Sequence, residues 1–139
     1  MNVVLDASVV VKWVLQDSQR EYDTEVATHI MHGIAAGDIQ ATQPDHWLAE
    51  VAAVLARLTP LTARKEVTNL SRLELRTLGD TSIYARACQL GVDLQHHLFD
   101  TLYHAVALET GSRYITADST YWRKAQHIGS IVPLSRFSL

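Results

Sequence analysis

Apolar residues fall along this chain in two alternating patterns: short unbroken runs, and longer stretches with a period of three to four. N-V-V-L, ending at Leu5, predicts a short buried strand. A-S-V-V-V-K-W-V-L then predicts a helix starting just after Asp6, with Val9, Val10, Trp13 and Val14 at helical spacing. A second helix is expected from about Gln19 to Ala36, closed by Gly37, and D-I-Q-A-T-Q reads as a second strand. After Pro44 comes the helix H-W-L-A-E-V-A-A-V-L-A-R-L, which Pro60 ends, and Thr62 is placed to cap T-A-R-K-E-V-T-N-L-S-R. L-E-L-R-T-L fits a helix end or a strand equally well. Further helices are expected from Thr81 to Leu90, stopped by Gly91, and over F-D-T-L-Y-H-A-V-A-L-E-T, stopped by Gly111. R-Y-I-T reads as a strand, Y-W-R-K-A as a short helix and I-V-P-L as a final strand.

Short apolar strands alternating with helices imply a parallel sheet covered by helices on both faces. No repeat, linker or low-complexity block interrupts the pattern. The expectation is a single α/β domain over residues 1–139 with an α/β/α layering. With 47% hydrophobic residues, such a chain can bury a core without disulfides or structural metal. The single cysteine, Cys88, is expected as a small buried filler, and its solitude points to a reducing, cytoplasmic setting. Asp6 and Lys12 interrupt the first apolar stretch, which therefore reads as neither a signal peptide nor a membrane span.

Four acids change the picture. In doubly wound sheets, ligands bind beyond the carboxyl ends of the strands. Asp6 directly follows N-V-V-L, and Asp118 follows R-Y-I-T with only Ala117 between, so both leave the sheet at that edge. Each could simply cap the next helix. Glu50 lies within or beside the apolar stripe of Trp47, Val51, Val54 and Leu58, where an acid would otherwise snorkel to water or pair with arginine. Asp100 lies at the margin of a face formed by Phe99, Tyr103 and Ala107, where it also suits the positive end of a helix. The net charge of −3 speaks weakly against nucleic acid, but four acids gathered at one cation would leave 11 acids against 12 bases.

The ordered set V-L-D-A-S, W-L-A-E-V, L-F-D-T-L-Y-H-A-V-A-L and Y-I-T-A-D resembles the PIN-domain nucleases, and among them the VapC-type toxins of bacterial toxin–antitoxin pairs. It spans essentially the whole chain. The resemblance implies a parallel sheet between helices and an RNA-cleaving site in which Asp6, Glu50, Asp100 and Asp118 bind Mg²⁺ or Mn²⁺. Ser8 and Thr116 match supporting polar positions. The resemblance also implies an antitoxin protein as partner, and a homodimer that lines two acidic sites along one groove. Helices near Val26, Ile30 and Ile34, and near Leu55 and Leu58, carry the apolar surplus expected of such an interface, and Arg57, Arg64, Lys65 and Arg72 the cationic rim that guides RNA. The His96-His97 pair and His104 depart from the pattern.

The chemistry agrees with the resemblance. Crowded carboxylates cannot all ionise without a compensating cation, and oxygen-only ligands suit Mg²⁺ or Mn²⁺. One such ion activates water against a phosphodiester, and a second about 3.5–4 Å away steadies the leaving oxygen. A zinc or manganese patch of His97, Asp100 and His104 is the competing metal site. Ser8 stands where an aspartyl phosphatase has its second acid, and no glycine-rich loop supports a dinucleotide or P-loop reading. Trp13, Trp47 and Trp122 read as core or half-core residues, with Trp122 beside Arg123 and Lys124 a candidate border of an RNA groove. An inactive PIN-like module that only docks RNA or protein, and a solitary RNA-processing nuclease, are the alternatives.

Overall fold

The computed structural model describes residues 1–15 and 23–138. Five strands form one parallel sheet: β1 (Asn2–Leu5), β2 (Gln40–Pro44), β3 (Arg76–Leu78), β4 (Arg113–Thr116) and β5 (Ile131–Pro133), in the order β3-β2-β1-β4-β5. The helices are α1 (Ala7–Val14), α2 (Thr24–Ala36), α3 (Trp47–Leu58), α4 (Ala63–Ser71), α5 (Thr81–Leu94), α6 (Leu98–Thr110) and α7 (Ser119–Ala125). Short 3-10 turns follow at Gln126–Ile128 and Leu134–Arg136. None of the described helices is long and apolar enough to cross a membrane.

β1 is the middle strand. Val3 pairs with Ala41 of β2 and Arg113 of β4, and Val4 and Leu5 pair with Tyr114 and Ile115. Val3, Val4 and Leu5 are fully buried, which explains why this segment is apolar on both faces. Strand order runs outward from β1 in both directions, so the crevice beyond its carboxyl end is the topological switch point of the sheet. The chain places Asp6 there.

The α/β architecture matches the sequence expectation, with several boundary corrections. The helix expected from Gln19 is seen from Thr24; its expected start lies outside the described residues. L-E-L-R-T-L resolves as β3, an edge strand whose Thr77 pairs with Gln43. Gly91 does not stop α5, which continues to Leu94. Its role is spatial: a Cβ there would sit 3.1 Å from the His96 carbonyl oxygen, and the His96 amide donates back to the Gly91 carbonyl. Thr62 precedes α4 as expected, but its hydroxyl donates to the Glu66 carboxylate instead of capping a backbone amide. Cys88 is exposed rather than buried, because it lies one residue past buried Ala87 and so points away from the core. Of the helices expected to carry an apolar surplus, Ile30 and Leu55 are fully buried in the domain's own core and Val26 and Ile34 pack against it. Leu58, at 38% exposure, is the member left at the surface.

Candidate active site

The end of β1 is held from both sides. On the β4 side the Asp6 amide donates to the Ile115 carbonyl at 3.0 Å. On the β2 side a side chain does the work of a strand: the Gln43 amide donates to the Leu5 carbonyl at 2.7 Å and accepts from the Leu5 amide at 2.8 Å. Gln43 is fully buried, so this pairing is dry and rigid. Asp6 then caps α1, its Oδ2 accepting from the Ser8 amide at 3.0 Å, while its Oδ1 accepts from the Tyr114 hydroxyl at 2.6 Å.

Asp6 is nonetheless short of compensation. It is 6% exposed, and loss of water raises its pKa from the ordinary 3.8 to about 6, against the lowering effect of the Ser8 and Tyr114 hydrogen bonds; the Asp100 charge adds to the rise. Glu50 reaches the same place from the first turn of α3, and Asp100 from the first turn of α6. One carboxylate oxygen from each of Asp6, Glu50 and Asp100 lies within 4.8 Å of the other two. The three acids come from three elements and converge on one point.

Asp118 approaches from β4. It caps α7, Oδ1 accepting from the Thr120 amide at 3.0 Å and the Tyr121 amide at 3.2 Å. It lies outside the tight trio but lines the same cleft of roughly 810 Å³, together with Asp6, Glu50, Asp100, Ser8, Arg57 and His97. Ser8 and Thr116 shape the loop between: the Ser8 hydroxyl accepts from the Ala117 amide and the Thr116 hydroxyl from the Asp118 amide, both at 3.0 Å.

A layer of aromatic rings supports the acids. Tyr103 and Tyr114 are buried and stack in parallel, centroids 5.8 Å apart. The Tyr103 hydroxyl lies beside Glu50 and has no hydrogen-bond partner of normal geometry; burial first, then the charges of Glu50 and Asp6, push its pKa far up. It is an O–H at the edge of an acidic cluster, with the Glu50 carboxylate as its neighbouring acceptor. His46 packs against Tyr103 with the rings tilted, centroids 5.0 Å apart, and its Nε2 donates to the Phe99 carbonyl at 2.9 Å and lies 3.6 Å from Glu50.

Residues 3–127 match the profile of the PIN domain. The chain belongs to the PIN domain family. That family is one of nucleases, which typically use divalent metal ions. Among solved structures, the fold is similar to that of a toxin–antitoxin complex from Klebsiella pneumoniae, with 12% identity, a TM-score of 0.66 and 99% of each chain covered. It is also similar to PAE2754 from Pyrobaculum aerophilum, with 16% identity and a TM-score of 0.64 over 97% of this chain and 90% of that one. No curated protein sequence matches the chain.

In this PIN domain the four acids named from sequence share one cleft, three of them tightly. The histidine patch does not form as expected. His104 is fully buried and points elsewhere, its Nε2 donating to the Gly129 carbonyl at 2.8 Å and its Nδ1 accepting from the Tyr121 hydroxyl at 2.9 Å. Burial lowers its pKa, so it is a neutral core histidine. His96 takes its place beside Asp100 and His97. Of the basic rim, Arg57 lines the cleft, whereas Arg64, Lys65 and Arg72 line a separate groove on α4. Trp122 is half-buried under the Arg136 guanidinium, 4.9 Å from its ring. Sequence reasoning missed Gln43, Tyr103 and Tyr114, whose polar groups are buried: the tyrosines read as packing, and Gln43 lies in a strand that also carries Gln40 and Thr42.

Proposed function

We propose that this protein is a Mg²⁺- or Mn²⁺-dependent endoribonuclease, the toxin of a toxin–antitoxin pair. The observation that carries the reading is the convergence of Asp6, Glu50 and Asp100 oxygens within 4.8 Å around a carboxyl too buried to ionise easily alone. The donor set fits a hard divalent ion: three carboxylates, oxygen ligands only. Asp6, Glu50 and Asp100 would hold the ion, and Asp118 would hold either a second ion or the attacking water. Such an ion supplies Lewis acidity towards phosphodiester oxygens and activates water near neutral pH.

The chain's own groups do the rest. Tyr114 and the Ser8 amide orient Asp6; Gln43 fixes the backbone that carries it. Arg57, at the rim of the cleft, offers a cation for the RNA backbone. Similarity in fold to a toxin–antitoxin complex, together with the VapC-like motifs, supports an antitoxin protein as partner. Purified protein should cleave RNA with Mg²⁺ or Mn²⁺, stop in EDTA, and fail as Asp6→Asn or Asp100→Asn with its circular dichroism unchanged. Full cleavage in EDTA would reject the metal reading. Metal binding without cleavage of any RNA would favour a docking module.

A further inference from the structure

His96 sits in the turn between α5 and α6, with its ring between Asp100 and Lys124. Its Nε2 lies 2.6 Å from Asp100 Oδ2, and its Nδ1 lies 3.2 Å from Lys124 Nζ. An ammonium has only N–H groups to offer, so Nδ1 is the acceptor there. A carboxylate oxygen only accepts, so Nε2 is the donor. One form of the ring satisfies both neighbours: the neutral tautomer with its proton on Nε2. An imidazolium would aim an N–H at the ammonium.

The ring is fixed in other ways. It stacks on His97 with centroids 4.6 Å apart and packs on Tyr121 at 4.9 Å. Lys124 Nζ is also anchored, donating to the Gln95 carbonyl at 3.3 Å. Gly91 leaves the room in which the His96 backbone turns.

We propose that Lys124 and His96 are positioning residues for Asp100: Lys124 sets the tautomer of His96, and His96 holds the Asp100 carboxylate in the orientation that a cation and substrate require. The proposal rests on the metal reading given above. It makes α7 a two-ended support, with Asp118 at its first turn and Lys124 in its last. It also argues against a transition metal held by the histidines, although ligand atoms of His96, His97 and Asp100 lie within 4.8 Å of one another. Coordination at His96 Nε2 would move the ring proton to Nδ1, against the Lys124 ammonium. The imidazoles therefore serve the carboxylate, His97 Nε2 standing 3.0 Å from the same oxygen. Groups that hydrogen-bond a metal-ligating carboxylate typically change metal affinity roughly 10- to 100-fold when removed.

Two-bond ¹H–¹⁵N correlation spectra of the metal-free protein at pH 8 test the tautomer directly. His96 should appear as the neutral Nε2–H form in the wild type. In Lys124→Met, which removes the donor but keeps the aliphatic stem, its Nδ1 resonance should shift as the lone pair is released. His104, held by Tyr121 and Gly129, is the internal reference and should not move. Mn²⁺ titration by calorimetry should then show affinity falling roughly 10- to 100-fold in His96→Phe and less in Lys124→Met, with His96→Gln regaining most of it by restoring an N–H donor. His96 found as the Nδ1–H form or as imidazolium overturns the proposal, as does wild-type Mn²⁺ affinity in a folded His96→Phe. Absence of Mn²⁺ binding by the wild type, with the tautomer as expected, overturns the metal reading and with it the purpose assigned to the pair.

Discussion

The Asp6 carboxyl loses its water on folding and recovers hydrogen bonds from the Ser8 amide and the Tyr114 hydroxyl, which do not restore its ordinary pKa. The consequence for stability has a definite sign. The folded chain holds this proton more tightly than the unfolded chain, about 6 against 3.8, so the contribution worsens as pH rises between those values and is fully unfavourable above about 6. The difference corresponds to about 3 kcal/mol without a cation. In EDTA, Asp6→Asn should therefore raise the melting temperature at pH 7.5 and change it little at pH 4, since an asparagine can accept from Ser8 and donate to the Tyr114 oxygen. Thermal melts at the two pH values check this, and a lower melting temperature for Asp6→Asn at pH 7.5 would show that burial is not the dominant influence. Tyr114→Phe should do the opposite, leaving Oδ1 of the carboxylate without its donor while the Ser8 amide still serves Oδ2, at a cost of about 1–3 kcal/mol. The acids drew notice in the sequence because Asp6 and Asp118 follow strands while Glu50 and Asp100 lie at the margins of apolar helix faces, and the PIN-like order of motifs joined them into one set. Tyr114 did not, because its partner is 108 residues away and a tyrosine in a strand looks like packing.

Among the elements, α7 carries the clearest separation of structure from chemistry. Asp118 both caps this helix and lines the acid cleft. Asp118→Ala should cost about 1 kcal/mol through the lost cap, whereas Asp118→Asn keeps an acceptor and should be nearly as stable as the wild type. If the charge matters to catalysis, both variants lose RNA cleavage to a similar degree; cleavage that tracks stability instead would reduce Asp118 to a cap. Chemical denaturation and a cleavage assay on the pair decide it. Strand β1 was legible because burial on both faces leaves the apolar run Val3-Val4-Leu5, and β4 because β-formers Tyr114, Ile115 and Thr116 follow the Gly111 helix stop. β3 was ambiguous because an edge strand with exposed Arg76 and Thr77 is defined by its pairing with β2, which local sequence does not encode. Gly91 misled for a related reason: glycine marks helix ends, but here it answers to the approach of the His96 backbone.

For the whole molecule, the expected dimer has to rest on less apolar surface than the sequence suggested, since Ile30 and Leu55 are committed to the core. Of the two stretches named from sequence, Leu58 at the end of α3 stays 38% exposed, and beside it Leu61, in the turn before α4, is 99% exposed. Light scattering at micromolar concentration should report a dimer, shifted towards monomer by Leu61→Glu; a monomeric wild type with full nuclease activity would remove both the dimer and the shared groove. Strand order, helix starts and burial bring the acids together where a divalent cation would be held. Calorimetric titration of Mn²⁺ into the metal-free protein at pH 7.5, beside Asp6→Asn, tests this most directly. Saturable binding by the wild type that is lost in a folded Asp6→Asn is the expected result, and no binding, or binding unchanged by that substitution, would contradict it.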